Sequence, residues 1–113
     1  THFAVALKYD RDTMSAPQVV AKGINLVAQR IRDLATEHRV PVVEAPPLAR
    51  ALHRHAEVGD QVPAALYTAV AEVLAYVYQL GQYMGSDRQA QPPSPPAAIA
   101  VPDGLDPGAS VAT

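Results

Sequence analysis

The sequence predicts an α/β fold: a small mixed sheet flanked by helices over residues 1–84, then a proline-rich disordered tail over 85–113. Three observations predict it. The first ten residues alternate large and small side chains with the period of a strand. From Ile24 onward apolar residues recur at helical spacing. Beyond Gly85 the periodicity stops, and six of the chain's eleven prolines fall within residues 92–107.

In the opening stretch Phe3, Val5, Leu7 and Tyr9 alternate with His2, Ala4, Ala6 and Lys8. One face is large and apolar and the other small, as in a strand with a helix close against its alanine side. Such a strand at residue one needs an explanation. Either an initiator methionine has been removed, or the chain is the downstream part of something longer, and a sheet edge left unpaired favours the second.

Asp10-Arg-Asp-Thr13 reads as a polar turn, and Gln18–Lys22 as a second strand that Gly23 closes. Val27, Ile31, Leu34, Ala35 and His38 then define one helical face, with His38 half-buried near the end, and Pro41 stops the helix by Val40. Pro41-Val-Val-Glu44 is expected as a third strand, making a parallel strand–helix–strand crossover. Pro46-Pro47 opens a second helix striped by Leu48, Ala51 and Leu52, and Pro63 introduces a last helix over about 64–80. In that helix Thr68, Glu72 and Gln79 form a narrow polar strip opposite Leu66, Val70, Val73 and Val77. Tyr67, Ala71, Leu74 and Tyr78 form a surplus apolar flank, either a second packing contact or an exposed binding patch.

The composition narrows the function classes. A net charge of −2 gives no basic surface for nucleic acid, and the absence of cysteine excludes disulfide and thiol chemistry. No apolar run reaches the roughly 18–20 residues of a membrane span. His53 and His55, two apart on a helix, point to different sides with no completing ligands, so neither a metal nor another cofactor is implied. Ser15, Ser86 and Ser94 lack a neighbouring base, and nothing supports Glu44 and Glu57 as an acid–base pair. No turnover enzyme emerges; a stand-alone α/β protein-interaction domain is compatible with all of this.

Three segments carry a resemblance: Thr1-His-Phe-Ala-Val-Ala-Leu-Lys-Tyr-Asp10, Val40-Pro-Val-Val-Glu-Ala-Pro-Pro-Leu-Ala-Arg-Ala-Leu52, and Ala69-Val-Ala-Glu-Val-Leu-Ala-Tyr-Val-Tyr-Gln-Leu80. With Ser15-Ala-Pro17 and Val20-Ala-Lys-Gly23 they cover nearly all of residues 1–80. Together they resemble the C-terminal cytoplasmic domain of the FlhB/YscU family, the substrate-specificity switch of type III secretion, and more its flagellar than its virulence-system members.

The resemblance implies a four-stranded sheet in the intact domain, about three of whose strands lie in this chain. It places the domain at the cytoplasmic face of the bacterial inner membrane, tethered by a transmembrane part upstream. The family cleaves itself once at Asn-Pro within Asn-Pro-Thr-His. Thr1 and His2 would be the remnant of that motif, so no catalytic residue is expected in this chain. The implied partners are the upstream fragment of the same protein, export substrates of rod and hook type, the ruler protein that controls hook length, and other export-gate components such as FlhA. A substrate-docking patch is implied at Ala16, Pro17, Ala71 and Leu74, and a further partner surface is expected at Pro46, Pro47, Leu48, Arg50, Tyr67 and Tyr78.

Overall fold

A computed structural model describes residues 1–84, 92–94, 99 and 101–102. Two strands come first, β1 (Phe3–Lys8) and β2 (Gln18–Ile24), then helix α1 (Asn25–Glu37). Helix α2 (Pro46–His55) follows, then a 3₁₀ turn (Ala64–Leu66) that runs into α3 (Tyr67–Met84).

β1 and β2 pair antiparallel. Asp10 makes the connection turn: its carboxylate accepts the Asp12 N–H at 3.0 Å and its carbonyl the Met14 N–H at 2.7 Å. The register runs from Phe3 opposite Ile24 to Ala6 opposite Ala21, then jumps so that Leu7 faces Val19. Val20 is therefore the extra residue of a β-bulge, and Val19 and Lys22, three apart, point to the same side of the sheet.

That side, with Val5 and Leu7, meets the main core of Leu48, Ala51, Leu52, Val62, Leu66, Ala69 and Val70. Full burial of an aliphatic side chain such as Leu66 is worth about 1.5–3 kcal/mol. The opposite side carries Ala4, Ala6, Ala21 and Gly23, and α1 packs there against both strands. Only Ala28 of α1 is fully buried, with Ile31 and Ala35 half-buried beside it. The packed face is thus rotated from the expected one: Val27 and Leu34 are exposed, and so is His38. The small Ala28 takes the buried position, and helix and sheet also meet closely at Gly23, where a Cβ would fall within the Val27 side chain, 2.7 Å from its Cβ.

The expected third strand does not form. Residues 41–44 have no ladder; Pro41 lacks an N–H, and the segment runs beside α1, where Glu44 pairs with Arg32. The sheet has two antiparallel strands among the described residues, so the parallel crossover is replaced by a strand pair followed by a helix. In place of that strand, residues 59–62 line the start of β2. The Val19 N–H donates to the Asp60 carbonyl at 2.9 Å, Gly59 N–H to Val19 at 2.8 Å, and Val62 N–H to Pro17 at 2.9 Å. Gly59 takes φ +96° there, a left-handed conformation suited to glycine.

Helix α1 ends in a Schellman motif. Val40 N–H donates to Ala35 and Arg39 N–H to Thr36, with Arg39 at φ +59°. α2 starts on Pro46-Pro47 as expected, and its other end is capped from the sheet: Lys22 Nζ donates to the carbonyls of His53 at 2.8 Å and Ala56 at 3.0 Å. The ammonium thereby satisfies orphan carbonyls at the negative end of the helix dipole. Most of the expected tail lies outside the described residues, but Ile99 and Val101 are half-buried against the core.

Two substitutions check this packing in chemical denaturation. Gly23→Ala is expected to lower stability by about 1–3 kcal/mol, because Val27 must move. Lys22→Met keeps the apolar stem and removes the cap, and is expected to cost about 1–2 kcal/mol.

Candidate functional site

Two places bring together the residues singled out in the sequence. The first is the lip that opens the chain. Thr1 and His2 are exposed, but the His2 backbone is held: its N–H donates to Asn25 Oδ1 at 3.2 Å, and its carbonyl accepts the Asn25 N–H at 2.8 Å. Asn25 sits at φ +50°, a conformation that Asn tolerates better than most residues. Next along, the Phe3 ring meets His53 of α2 edge to face, with centroids 5.3 Å apart. His53 is therefore part of a packing contact.

The second place is an apolar groove of about 330 Å³ between the loop that leads into β2 and one flank of α3. Ala16 and Pro17 form one wall, Tyr67, Val70, Ala71 and Leu74 the other, and Tyr9 and Ser15 complete the rim. All four residues of the implied docking patch line it. Ala16 and Val70 are buried, Leu74 and Pro17 half-buried, and Ala71 and Tyr67 exposed. The rest of the α3 flank continues to Tyr78, whose ring lies 5.4 Å from the Arg11 guanidinium carbon.

The fold explains this placement. The 59–62 segment pins Pro17 and Val19, so the Ser15-Ala-Pro17 wall is fixed relative to the core. α3 is anchored by Leu66, Ala69 and Val70, which leaves Tyr67, Ala71 and Tyr78 facing out. The lining has no carboxylate, lysine or histidine, and small alanines sit on both walls. Chemically it can take up an apolar side chain or a short extended segment, with the tyrosine hydroxyls and Ser15 offering hydrogen bonds at the rim.

The second set of expected surface residues divides. Tyr67 belongs to the groove and Tyr78 to its continuation, whereas Pro46, Pro47 and Arg50 of α2 do not line it. Leu48 is 3% exposed and belongs to the core, so its side chain offers no partner surface; it is the inward residue of the first turn of α2. Sequence reasoning missed Tyr9 as a lining residue, although it ends the alternation that opens the chain and follows β1 directly. It also missed Asn25, whose signal was an Asn between a strand and a helix. Among the described residues no three His, Cys, Asp or Glu side chains gather as a metal cluster.

Comparison with known proteins places this geometry. The profile of the FlhB HrpN YscU SpaS family matches residues 1–77. The chain is 58% identical over 108 residues to the flagellar biosynthetic protein FlhB of Salmonella typhimurium and 57% identical to that of Escherichia coli K12. In both cases 94% of this chain is covered and 27% of the relative, so the chain spans about a quarter of their length. The crystal structure of the cytoplasmic domain of FlhB from Shewanella putrefaciens superposes with a TM-score of 0.82 at 46% identity, covering 93% of this chain and 81% of that one. The PscU C-terminal domain superposes at 0.66 with 40% identity, covering 68% of this chain and 98% of that one. With the family profile and these relatives covering both the lip and the groove walls, the chain belongs to the FlhB/YscU family of type III export proteins.

Proposed function

We propose that this chain is the cytoplasmic domain of a flagellar protein-export component that docks export substrates and takes part in the change from rod- and hook-type to filament-type substrates. One observation carries the docking half of this reading: Ala16 and Pro17, far in sequence from Ala71 and Leu74, line one apolar groove with them. A rod- or hook-type substrate would lay an apolar segment there, with Tyr9 and Tyr67 closing over it.

The switching half rests on the lip. An Asn-Pro pair just before Thr1 would break once: the Asn side-chain nitrogen attacks its own main-chain carbonyl carbon and loses a proton. The bond from that carbonyl to the proline nitrogen then breaks, and the nitrogen leaves with a proton as a secondary amine. The upstream piece ends in a succinimide. Holding the reacting groups close is the main contribution a folded loop makes to such a step. The upstream piece would remain paired with the outer edge of β1, which has no partner strand among the described residues. A ruler protein, export-gate components such as FlhA and a membrane anchor in the upstream part of the protein are what this reading requires; no helix among the described residues is long and apolar enough to cross a membrane.

The docking half is tested with Ala71→Asp. The site is exposed, so circular dichroism and melting are expected to be unchanged, while affinity for an early-substrate signal peptide drops about tenfold or more, ~1.4 kcal/mol. Unchanged affinity in a folded variant would reject the groove as the docking site. Intact-mass analysis of the full-length protein tests the cut: two fragments under denaturing conditions that co-purify natively are expected, against one uncut chain if the reading is wrong.

A further inference from the structure

We infer that residue 25, at the left-handed corner between β2 and α1, is a positioning residue for the main-chain cut, fixing the backbone of His2, the third residue downstream of it. The inference rests on the cleavage reading above and adds to it a residue that lies far from the motif in sequence.

The geometry is that of a ladder pair completed by a side chain. In the β1–β2 register Phe3 faces Ile24 and Ala4 faces Gly23, so the next pair outward is His2 with Asn25. In a regular antiparallel pair of this kind the two residues exchange both N–H···O bonds. Here Asn25 gives its N–H to the His2 carbonyl, as a strand residue would, at 2.8 Å. Its own carbonyl belongs to the first turn of α1, and its side-chain Oδ1 accepts the His2 N–H instead, at 3.2 Å. The sheet is thus carried one residue beyond its last regular pair, to the third residue after the bond proposed to break. The corner also supplies one of the otherwise unpaired N–H groups of the α1 N-terminus with an acceptor.

Both bonds depend on φ +50° at residue 25. That conformation is open to Gly and tolerated by Asn, costs Ala about 1–2 kcal/mol, and is worst for a β-branched residue. A residue that reverts to negative φ turns its N–H away from His2. Phe3, held against His53, still anchors the strand, so what is released is the lip alone. Loss of that anchor lets the scissile unit sample geometries in which the attacking nitrogen and the carbonyl are misaligned.

The experiment follows cleavage of the full-length protein, Asn-Pro motif included, after cell-free synthesis, by denaturing gel and intact mass. Asn25→Gly keeps the conformation and the main-chain bond and is expected to cut within about twofold of the parent rate. Asn25→Ala is expected to cut about threefold slower, and Asn25→Val about tenfold or more. Gly59→Ala is the control. It imposes comparable backbone strain at φ +96°, with nothing within 4 Å of the new Cβ, beside β2 rather than at the lip, and is expected to cut at the parent rate. Parent-rate cleavage of Asn25→Val would overturn the inference, as would equal slowing by Gly59→Ala, which would make the effect one of general stability. If Asn25→Val does not fold, the ratio of Asn25→Ala to Asn25→Gly decides in the same way. An uncut parent protein would instead overturn the cleavage reading beneath it.

Discussion

The register of β1 on β2, with its single bulge at Val20, decides which side of the sheet each later contact occupies. Because side chains alternate with a period of two, one extra residue moves everything beyond it to the opposite face. Without the bulge, Val19 would share a face with Ala21 and Gly23, and Lys22 would point away from it. With it, Val19 is fully buried on the same side as Val5 and Leu7, the side from which Lys22 reaches the end of α2. A long cation whose head finds two carbonyls and whose stem lies along apolar surface is at home in such a place. The opposite face keeps only alanines and a glycine, which is what lets α1 approach so closely.

The two candidate places inherit this arrangement. β2 is fixed on one edge by β1 and at its start by the 59–62 segment, so Ala16 and Pro17 cannot drift from the core. α3 enters the core through Leu66 of the 3₁₀ turn before it and Ala69 and Val70 of its first turn, and Leu74, one turn beyond Val70, is half in the core and half in the groove. One wall of the groove thus sits on a pinned loop and the other on a helix anchored in the same core.

Much of this was legible in the sequence, and the parts that were not share a cause. β1 and the starts of α2 and α3 follow from local signals: strict alternation, Pro46-Pro47, Pro63. The apolar flank of α3 follows from spacing alone, because Tyr67, Ala71, Leu74 and Tyr78 exceed what one buried face needs. The third strand failed because Val42-Val43 has strand composition while Pro41 and Pro46 bracket it, leaving too few donors to build a ladder. On α1 hydrophobicity marks Val27 and Leu34, whereas the residue the fold buries is the small Ala28, and Val27 lies against Gly23 while staying largely exposed. The bulge and the corner at Asn25 have no periodic signature. Each is a tertiary decision about one residue, visible only once the two strands are in register.

The groove walls are only half covered by the rest of the chain. If the flank of α3 were ordinary core, Ala71 and Tyr67 would be covered by another element of the chain, yet Tyr67 is 44% and Tyr78 54% exposed. A tyrosine placed this way keeps its ring on apolar neighbours and its hydroxyl in water, the amphipathic habit that favours interfaces over interiors. Arg11 over the Tyr78 ring marks the end of the strip with a charge whose planar face is already engaged, so it restrains the ring without demanding an acidic partner. On the docking reading, small residues on both walls with tyrosines beside them would suit something with a bulky apolar side chain and a hydrogen-bonding backbone. An extended peptide has both, and the fixed position of Pro17 at the mouth of β2 sets the wall along which it would lie.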